Sequence, residues 1–521
     1  MHRVLLGLAL ALIVGSVQAQ PVVHVAQGSV SGAVEDGVSV YKGIPFAAPP
    51  VGPLRWRAPQ PAANWDGVRT ATAFGPVCPQ AKLPLLMRMM PHVTMQESED
   101  CLTINVWSPK AEQSVKLPVM VWIYGGAFRS GGSANPLFDG TDLAHHGVVV
   151  VTFNYRLGWL GFLDTPALAA ESPDAPIGNY GLLDQIAALK WVRDNIAAFG
   201  GDAANVTIFG ESAGGMSVDD LMVSPLAHGL FAKAISESGL GLFPANTASQ
   251  AQAAGAQFAA KEQSDAATAQ GLAKLRSLPV RDIIDAETDT PVASMSPAVD
   301  GKVLPDQPSV LFAQDKGAPV PFIAGSNSDE ATLMQWIGMS PAEQLKLAGD
   351  ALPMVRKVYA AEGPLSDDQL GREMFDDGVF AAGAQGLAGL AAKAGQPAYV
   401  YYFGYVADAF RAKVQGVGHG AELPYIFGLR GFAQEPWMKV VIEKATPKDL
   451  GIVAMMQSYW TNFAKTGNPN GGTLPAWQPT SLAQPDTLVV NDTTATTKDF
   501  RHPQIALAYG AWSKRTGLPL Q

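Results

Sequence analysis

Residues 206–223 run Val206-Thr-Ile-Phe-Gly210-Glu-Ser212-Ala-Gly-Gly215-Met-Ser-Val-Asp-Asp-Leu-Met-Val223. A short β-branched and aromatic run passes through G-x-S-x-G into a segment able to form a helix. That strand–turn–helix context stands a serine on a tight, strained turn, with glycines leaving room for the neighbouring elements. The positive end of the following helix would favour an anion developing at Ser212. The bland alternative, a glycine-rich turn, explains the glycines but not the agreement on both flanks.

Working outward, Val119–Tyr124 and Val148–Phe153 are apolar runs bounded by glycine, as expected for strands buried on both faces of a sheet. Leu182–Phe199 carries apolar residues at helical spacing and stops at Gly200-Gly201. Phe322–Gly325 and Tyr399–Phe403 are further strands, with a helix around Met455–Lys465. Val22–Phe46 reads as small antiparallel strands around turns at Gln27-Gly28 and Asp36-Gly37. This alternation predicts an α/β fold with a large, mostly parallel sheet and its site beyond the carboxyl ends of the strands.

A serine hydroxyl is a weak nucleophile and needs a base, most often histidine. Of eight histidines, chain order Ser–acid–His leaves His419 and His502. His419 lies in a glycine-flanked loop, Gly416-Val-Gly-His-Gly-Ala, after a predicted strand. His502 sits in Asp499-Phe-Arg-His-Pro, a solvated or capping context. The acid must fall between Ser212 and His419, and Asp329-Glu330 follows the Phe322–Ala324 run. These neighbours leave the loop in different directions, and spacing does not choose between them. Asp300-Gly301 is more simply a turn. Tyr124-Gly-Gly126-Ala127-Phe128 after the Val119–Tyr124 strand resembles an oxyanion loop, whose Gly126 and Ala127 amides would join that of Ala213.

The chain has 521 residues, 47% hydrophobic and 16% charged, which excludes global disorder. A formal charge of −10 argues against nucleic-acid binding through a basic face. Two cysteines are too few for a disulfide scaffold or a four-thiolate zinc site. Met1-His-Arg3, the apolar run Val4–Val14 and Val17-Gln-Ala19 form a signal-peptide pattern over 1–19, too short to span a bilayer. The rest, 20–521, shows no internal repeat and no separating linker, so one exported domain without a membrane span is expected, periplasmic or secreted. Export would make Cys78 and Cys101 partners, with two separate buried thiols as the alternative.

Together, these and other motifs resemble the type-B carboxylesterases of the α/β-hydrolase superfamily. The further motifs are Lys42-Gly-Ile-Pro-Phe-Ala47, Pro49-Pro-Val-Gly-Pro-Leu-Arg-Trp56, Glu99-Asp-Cys-Leu-Thr-Ile-Asn105, Asn154-Tyr-Arg-Leu-Gly158, Gly181-Leu-Leu-Asp-Gln185 and Tyr459–Asn470. The resemblance spans nearly all of 20–521. It implies a carboxylic ester hydrolase with a Ser212–Glu330–His419 triad, needing no metal or cofactor and taking a small-molecule ester as its only expected partner. It further implies the Cys78–Cys101 disulfide, ion pairs Arg55–Glu99 and Arg156–Asp184, Ser238 as a buttress of Glu330, and Glu211 as a buried acid near the gorge floor. Ala331 departs from the glycine usual after the acid. Non-catalytic, neuroligin-like binding relatives lack the serine that is present here. The stretch Pro84–Pro91 has no tryptophan and carries Arg88, which argues against choline substrates; its methionines suit a gorge rim or core packing equally. Neither the natural ester nor the oligomeric state follows from the motifs.

Arg129 follows the oxyanion loop where relatives carry an aromatic or aliphatic residue. A guanidinium there would suit a carboxylate on the substrate, as in tricarballylate esters of fumonisin-type mycotoxins. The alternative is an arginine that points to solvent or pairs with a structural carboxylate.

Overall fold

The structure, a computed structural model, describes residues 20–81, 96–109, 115–431, 433 and 442–520. The signal-peptide segment 1–19 and the methionine-rich stretch Pro84–Pro91 fall outside them. One eleven-stranded sheet organises the fold. Its strands in chain order are β1 Ala33–Glu35, β2 Val38–Pro45, β3 Thr103–Pro109, β4 Leu117–Ile123, β5 Val149–Phe153, β6 Gly201–Glu211, β7 Lys233–Glu237, β8 Phe322–Asn327, β9 Ala398–Phe403, β10 Thr487–Val490 and β11 Ala495–Thr497.

In space the strands run β11-β10-β9-β8-β7-β6-β4-β5-β3-β2-β1. From β5 to β10 every pairing is parallel, and both ends turn antiparallel. The sheet is therefore mixed, with a parallel centre. All five residues of β5 are buried, as crossover helices on both faces require. The N-terminal strands divide: Val22–Val25 and Gly28–Ser31 pair antiparallel in a separate three-stranded sheet, whereas Val38–Pro45 joins the main one.

Helices fill the crossovers. Helix α1 spans Tyr180–Asn195, followed by a 3-10 turn at Ile196–Phe199 that Gly200 closes in a left-handed conformation. Helix α2, Ala213–Val223, leaves the end of β6 directly after Ser212. Helix α3, Pro447–Thr466, starts earlier than the apolar spacing suggests, because Thr446 and Asp449 form a capping box with Pro447 in the first turn. Among the described residues, no helix is long and apolar enough to cross a membrane.

Three cross-links expected from the resemblance are present. Cys78 and Cys101 form a disulfide with Cα atoms 5.0 Å apart. Arg55 donates to both Glu99 carboxylate oxygens at 2.7 Å, and Arg156 to both of Asp184 at 2.8 Å. Closing a loop of 23 residues restricts the unfolded chain by about 3 kcal/mol. Denatured, unreduced protein should show no free thiol, and reduction should lower Tm. Two titratable thiols would contradict the disulfide.

Candidate active site

The carboxyl ends of β6, β8 and β9 supply the site. Ser212 has φ 59° and ψ −124°, a conformation open to a non-glycine residue only where surroundings impose it, at a cost of about 1–3 kcal/mol. Its N–H donates to Glu237 O at 2.8 Å, tying the turn to the end of β7. The flanking glycine is a packing requirement: a Cβ on Gly214 would lie 2.0 Å from Ile123 O.

The Asp329–Glu330 loop meets the His419 loop through a parallel bridge between Asp329 and Gly418, and Asp329 N donates to Val417 O at 2.9 Å. That contact makes the two loops one surface. The His419 N–H donates to Thr332 Oγ1 at 2.9 Å, and the Phe380 ring packs 5.3 Å from the imidazole. His419 Nε2 lies 2.8 Å from Ser212 Oγ, and Nδ1 2.6 Å from Glu330 Oε2. With Nδ1–H donated to Glu330, Nε2 is left to accept the Ser212 proton. Glu330 Oε1 in turn accepts the Ser238 hydroxyl at 2.6 Å and the Asn327 N–H at 2.7 Å. Its neighbour Asp329 pairs with Arg372 instead. The pair that sequence spacing left open is thus separated by their partners, Arg372 for Asp329 and His419 for Glu330. Asp300 accepts the N–H groups of Lys302, Val303 and Leu304 within its own turn, and His502 is exposed at a helix start.

Gly126, Ala127 and Phe128 all have positive φ, at 106°, 56° and 58°. Only glycine fits the first position, since a Cβ there would lie 2.1 Å from Ser130 O. The loop touches the serine turn, as a Cβ on Gly125 would come within 3.0 Å of Ser212 Cβ. Among the described residues no hydrogen bond uses the N–H of Gly126, Ala127 or Ala213. Stacked Tyr124 and Tyr155 support the loop from below, the Tyr155 hydroxyl donating to Tyr124 O at 2.8 Å.

A second carboxylate reaches the imidazole: Glu211 Oε1 lies 3.2 Å from His419 Nε2. Burial alone would depress the His419 pKa. The Glu211 and Glu330 charges and the Glu330 hydrogen bond outweigh it, lifting the pKa from 6.5 to about 9. Burial pushes Glu211 up to about 7, opposed by His419 and reinforced by Glu330. Beneath them, burial also raises Glu237 to about 8, against a 2.8 Å hydrogen bond from Trp460, and raises Glu422 well above the carboxylate range.

Arg129 lies apart from this chain of contacts. Its Nη2 donates to Glu287 O at 2.7 Å and its Nη1 reaches Thr290 O at 3.4 Å. It is held by main-chain carbonyls, rather than by the solvent or the structural carboxylate that the sequence reading offered as its alternative. Thr332, Asn327 and Phe380 were not foreseen, since nothing local marks a threonine, a main-chain N–H or a phenylalanine as a support for a distant histidine.

Residues 19–508 match the carboxylesterase family. The chain is 37% identical to the fumonisin B1 esterase of Sphingopyxis macrogoltabida, covering 87% of this chain and 83% of that protein. It is 38% identical to the para-nitrobenzyl esterase of Bacillus subtilis, covering 86% and 90%. A solved structure of a PNB esterase superposes with a TM-score of 0.78 at 34% identity, covering 94% of this chain and 100% of that one. Sequence match and shared architecture agree: the chain belongs to the carboxylesterase family, with the α/β-hydrolase fold, and is a carboxylic ester hydrolase.

Proposed function

We propose that Ser212, His419 and Glu330 form the catalytic triad of a serine carboxylesterase working through an acyl-enzyme. The continuous hydrogen-bond chain from Ser212 Oγ through both imidazole nitrogens to Glu330 carries this reading. Ser212 Oγ attacks the ester carbonyl carbon while its proton passes to His419 Nε2. The N–H groups of Gly126, Ala127 and Ala213 receive the oxyanion. Collapse breaks the bond to the leaving alkoxide, which takes the proton from Nε2. Water then repeats the sequence on the acyl-enzyme, releasing the acid and restoring Ser212. An organophosphonate should label Ser212 covalently at one per chain, and a chelator should leave activity intact. Labelling elsewhere would move the nucleophile off Ser212, and no labelling would overturn the triad.

The pH profile follows from the same geometry. Only neutral imidazole accepts a proton, so activity rises as pH climbs through the His419 pKa. The two carboxylates raise that pKa to about 9, so the acid limb of kcat/KM should lie above the ordinary histidine value of 6.5. Glu211→Gln removes one anion beside Nε2 and should move the limb to lower pH. An unmoved limb would reduce Glu211 to a packing role.

The substrate we propose is a general carboxylic ester. A narrower esterase for polycarboxylate esters draws support from the likeness to the fumonisin B1 esterase. It needs Arg129 on the substrate, and the bonds of that guanidinium to two main-chain carbonyls favour the general reading. A panel of neutral and carboxylate-bearing esters decides, a strong preference for the latter overturning it. We further propose that 20–521 acts as one domain, exported after cleavage behind Ala19. The disulfide supports export. Exported protein should begin at Gln20, and an uncleaved amino terminus would contradict this.

A further inference from the structure

The oxyanion turn places two successive non-glycine residues, Ala127 and Phe128, at positive φ. Such a conformation persists only where the surroundings hold it. The turn's own N–H groups of Arg129 and Ser130 donate to Gly126 O at 3.0 and 3.1 Å, and a closed ring of contacts ties it to a segment remote in sequence. Phe128 O accepts the Gly158 N–H at 2.7 Å. The next residue, Trp159, donates its N–H to Glu287 Oε1 at 3.0 Å. Glu287 O then accepts Arg129 Nη2 at 2.7 Å, returning to the residue beside Phe128. Arg129 Nη1 reaches Thr290 O across the same segment. Glu287 is fully buried, so the far anchor of the ring is fixed in the core; burial lifts its carboxyl to about 7, opposed by the Trp159 N–H and by the nearby positive charge of Arg129.

We propose that Arg129 is a positioning residue for the oxyanion hole, its guanidinium pinning the Gly126–Phe128 turn to the Glu287–Thr290 segment so that the Gly126 and Ala127 N–H groups stay aimed at the reacting carbonyl. This rests on the reading of those amides as oxyanion donors. Arginine suits the task because one planar fork reaches two main-chain carbonyls at once. Lysine, a point donor, can satisfy one carbonyl at a time. Because the donors act on charge that develops after binding, loosening the turn lowers kcat and leaves ground-state affinity nearly intact.

The test compares wild type with Arg129→Ala and Arg129→Lys on a neutral p-nitrophenyl ester and on an ester bearing a free carboxylate. Affinity for a trifluoromethyl ketone, whose adduct carries the oxyanion, is measured alongside. We expect Arg129→Ala to lose about 10- to 100-fold in kcat on both esters, with KM changed less than about threefold. Trifluoromethyl ketone binding should weaken by a similar factor, and Arg129→Lys should recover part of each loss. A merely structural loss would lower Tm and the fraction of phosphonate-titratable sites while leaving kcat per titrated site and ketone affinity at wild-type values, and would overturn the pin. If the alanine variant does not fold, the lysine variant decides: reduced kcat at constant KM supports the pin, and wild-type kcat overturns it. Loss confined to the carboxylate-bearing ester overturns it too, moving Arg129 into the acyl pocket. Failure of the underlying triad is distinguishable, since wild type itself would then resist phosphonate labelling at Ser212.

Discussion

Ser212→Ala and His419→Ala should each lose at least about three orders of magnitude in kcat, with little further loss when combined. Ser212 Oγ lies 2.8 Å from Nε2 as the nucleophile, so alanine removes the bond-forming group itself. Without His419 the hydroxyl keeps its full proton at neutral pH, and the leaving alkoxide has no acid. The two residues act as a unit, which makes their effects non-additive. The free N–H groups of Gly126, Ala127 and Ala213 remain in both variants and should sustain a residual rate above that in water. Steady-state kinetics on a neutral ester checks this, with far-ultraviolet circular dichroism to establish folding. Near wild-type turnover in either variant would remove the triad.

Glu330→Gln should cost about 10³- to 10⁴-fold in kcat, although it changes one oxygen to nitrogen. Glu330 Oε1 accepts two donors, the Ser238 hydroxyl and the Asn327 N–H. In glutamine the carbonyl oxygen must take that position, because an NH2 group cannot face two donors. The NH2 group then points at Nδ1 and forces the proton onto Nε2. An imidazole protonated at Nε2 cannot take the Ser212 proton. A loss below about tenfold would mean that Glu330 does not set the tautomer. The same geometry explains why Ser238 faces the carboxylate rather than solvent.

The serine turn was legible because its determinants are local: a strand, two glycines and a helix within 206–223. The glycine turn at Gly125–Phe128 was legible for the same reason. The choice between Asp329 and Glu330 was not, because their partners come from other parts of the chain. Arg372 draws Asp329 away and His419 meets Glu330, contacts separated by 43 and 89 residues. Only the family resemblance separated them beforehand. Arg129 was harder still. Its acceptors are main-chain carbonyls of Glu287 and Thr290, 158 and 161 positions away, which no side-chain pattern announces. At the fold level, strand periodicity located the parallel centre of the sheet. It did not show that Val38–Pro45, still paired with Ala33–Glu35 across the Asp36-Gly37 turn, would also pair with Thr103–Pro109, since register is set by the partner strand. Phe380 reaches the imidazole from a π-helical turn at Asp376–Ala381, a local widening without a signature in residue spacing.

In the proposed mechanism Ser212 carries the acyl group between the two half-reactions. Rapid acid quenching of the enzyme turning over a p-nitrophenyl ester, followed by peptide mass spectrometry, tests it most directly. The account predicts a mass increase equal to the acyl group on the peptide containing Ser212, appearing with a burst of p-nitrophenol and absent in Ser212→Ala. An acyl group on any other residue, or steady turnover with no acylated enzyme and no phosphonate labelling of Ser212, would contradict it.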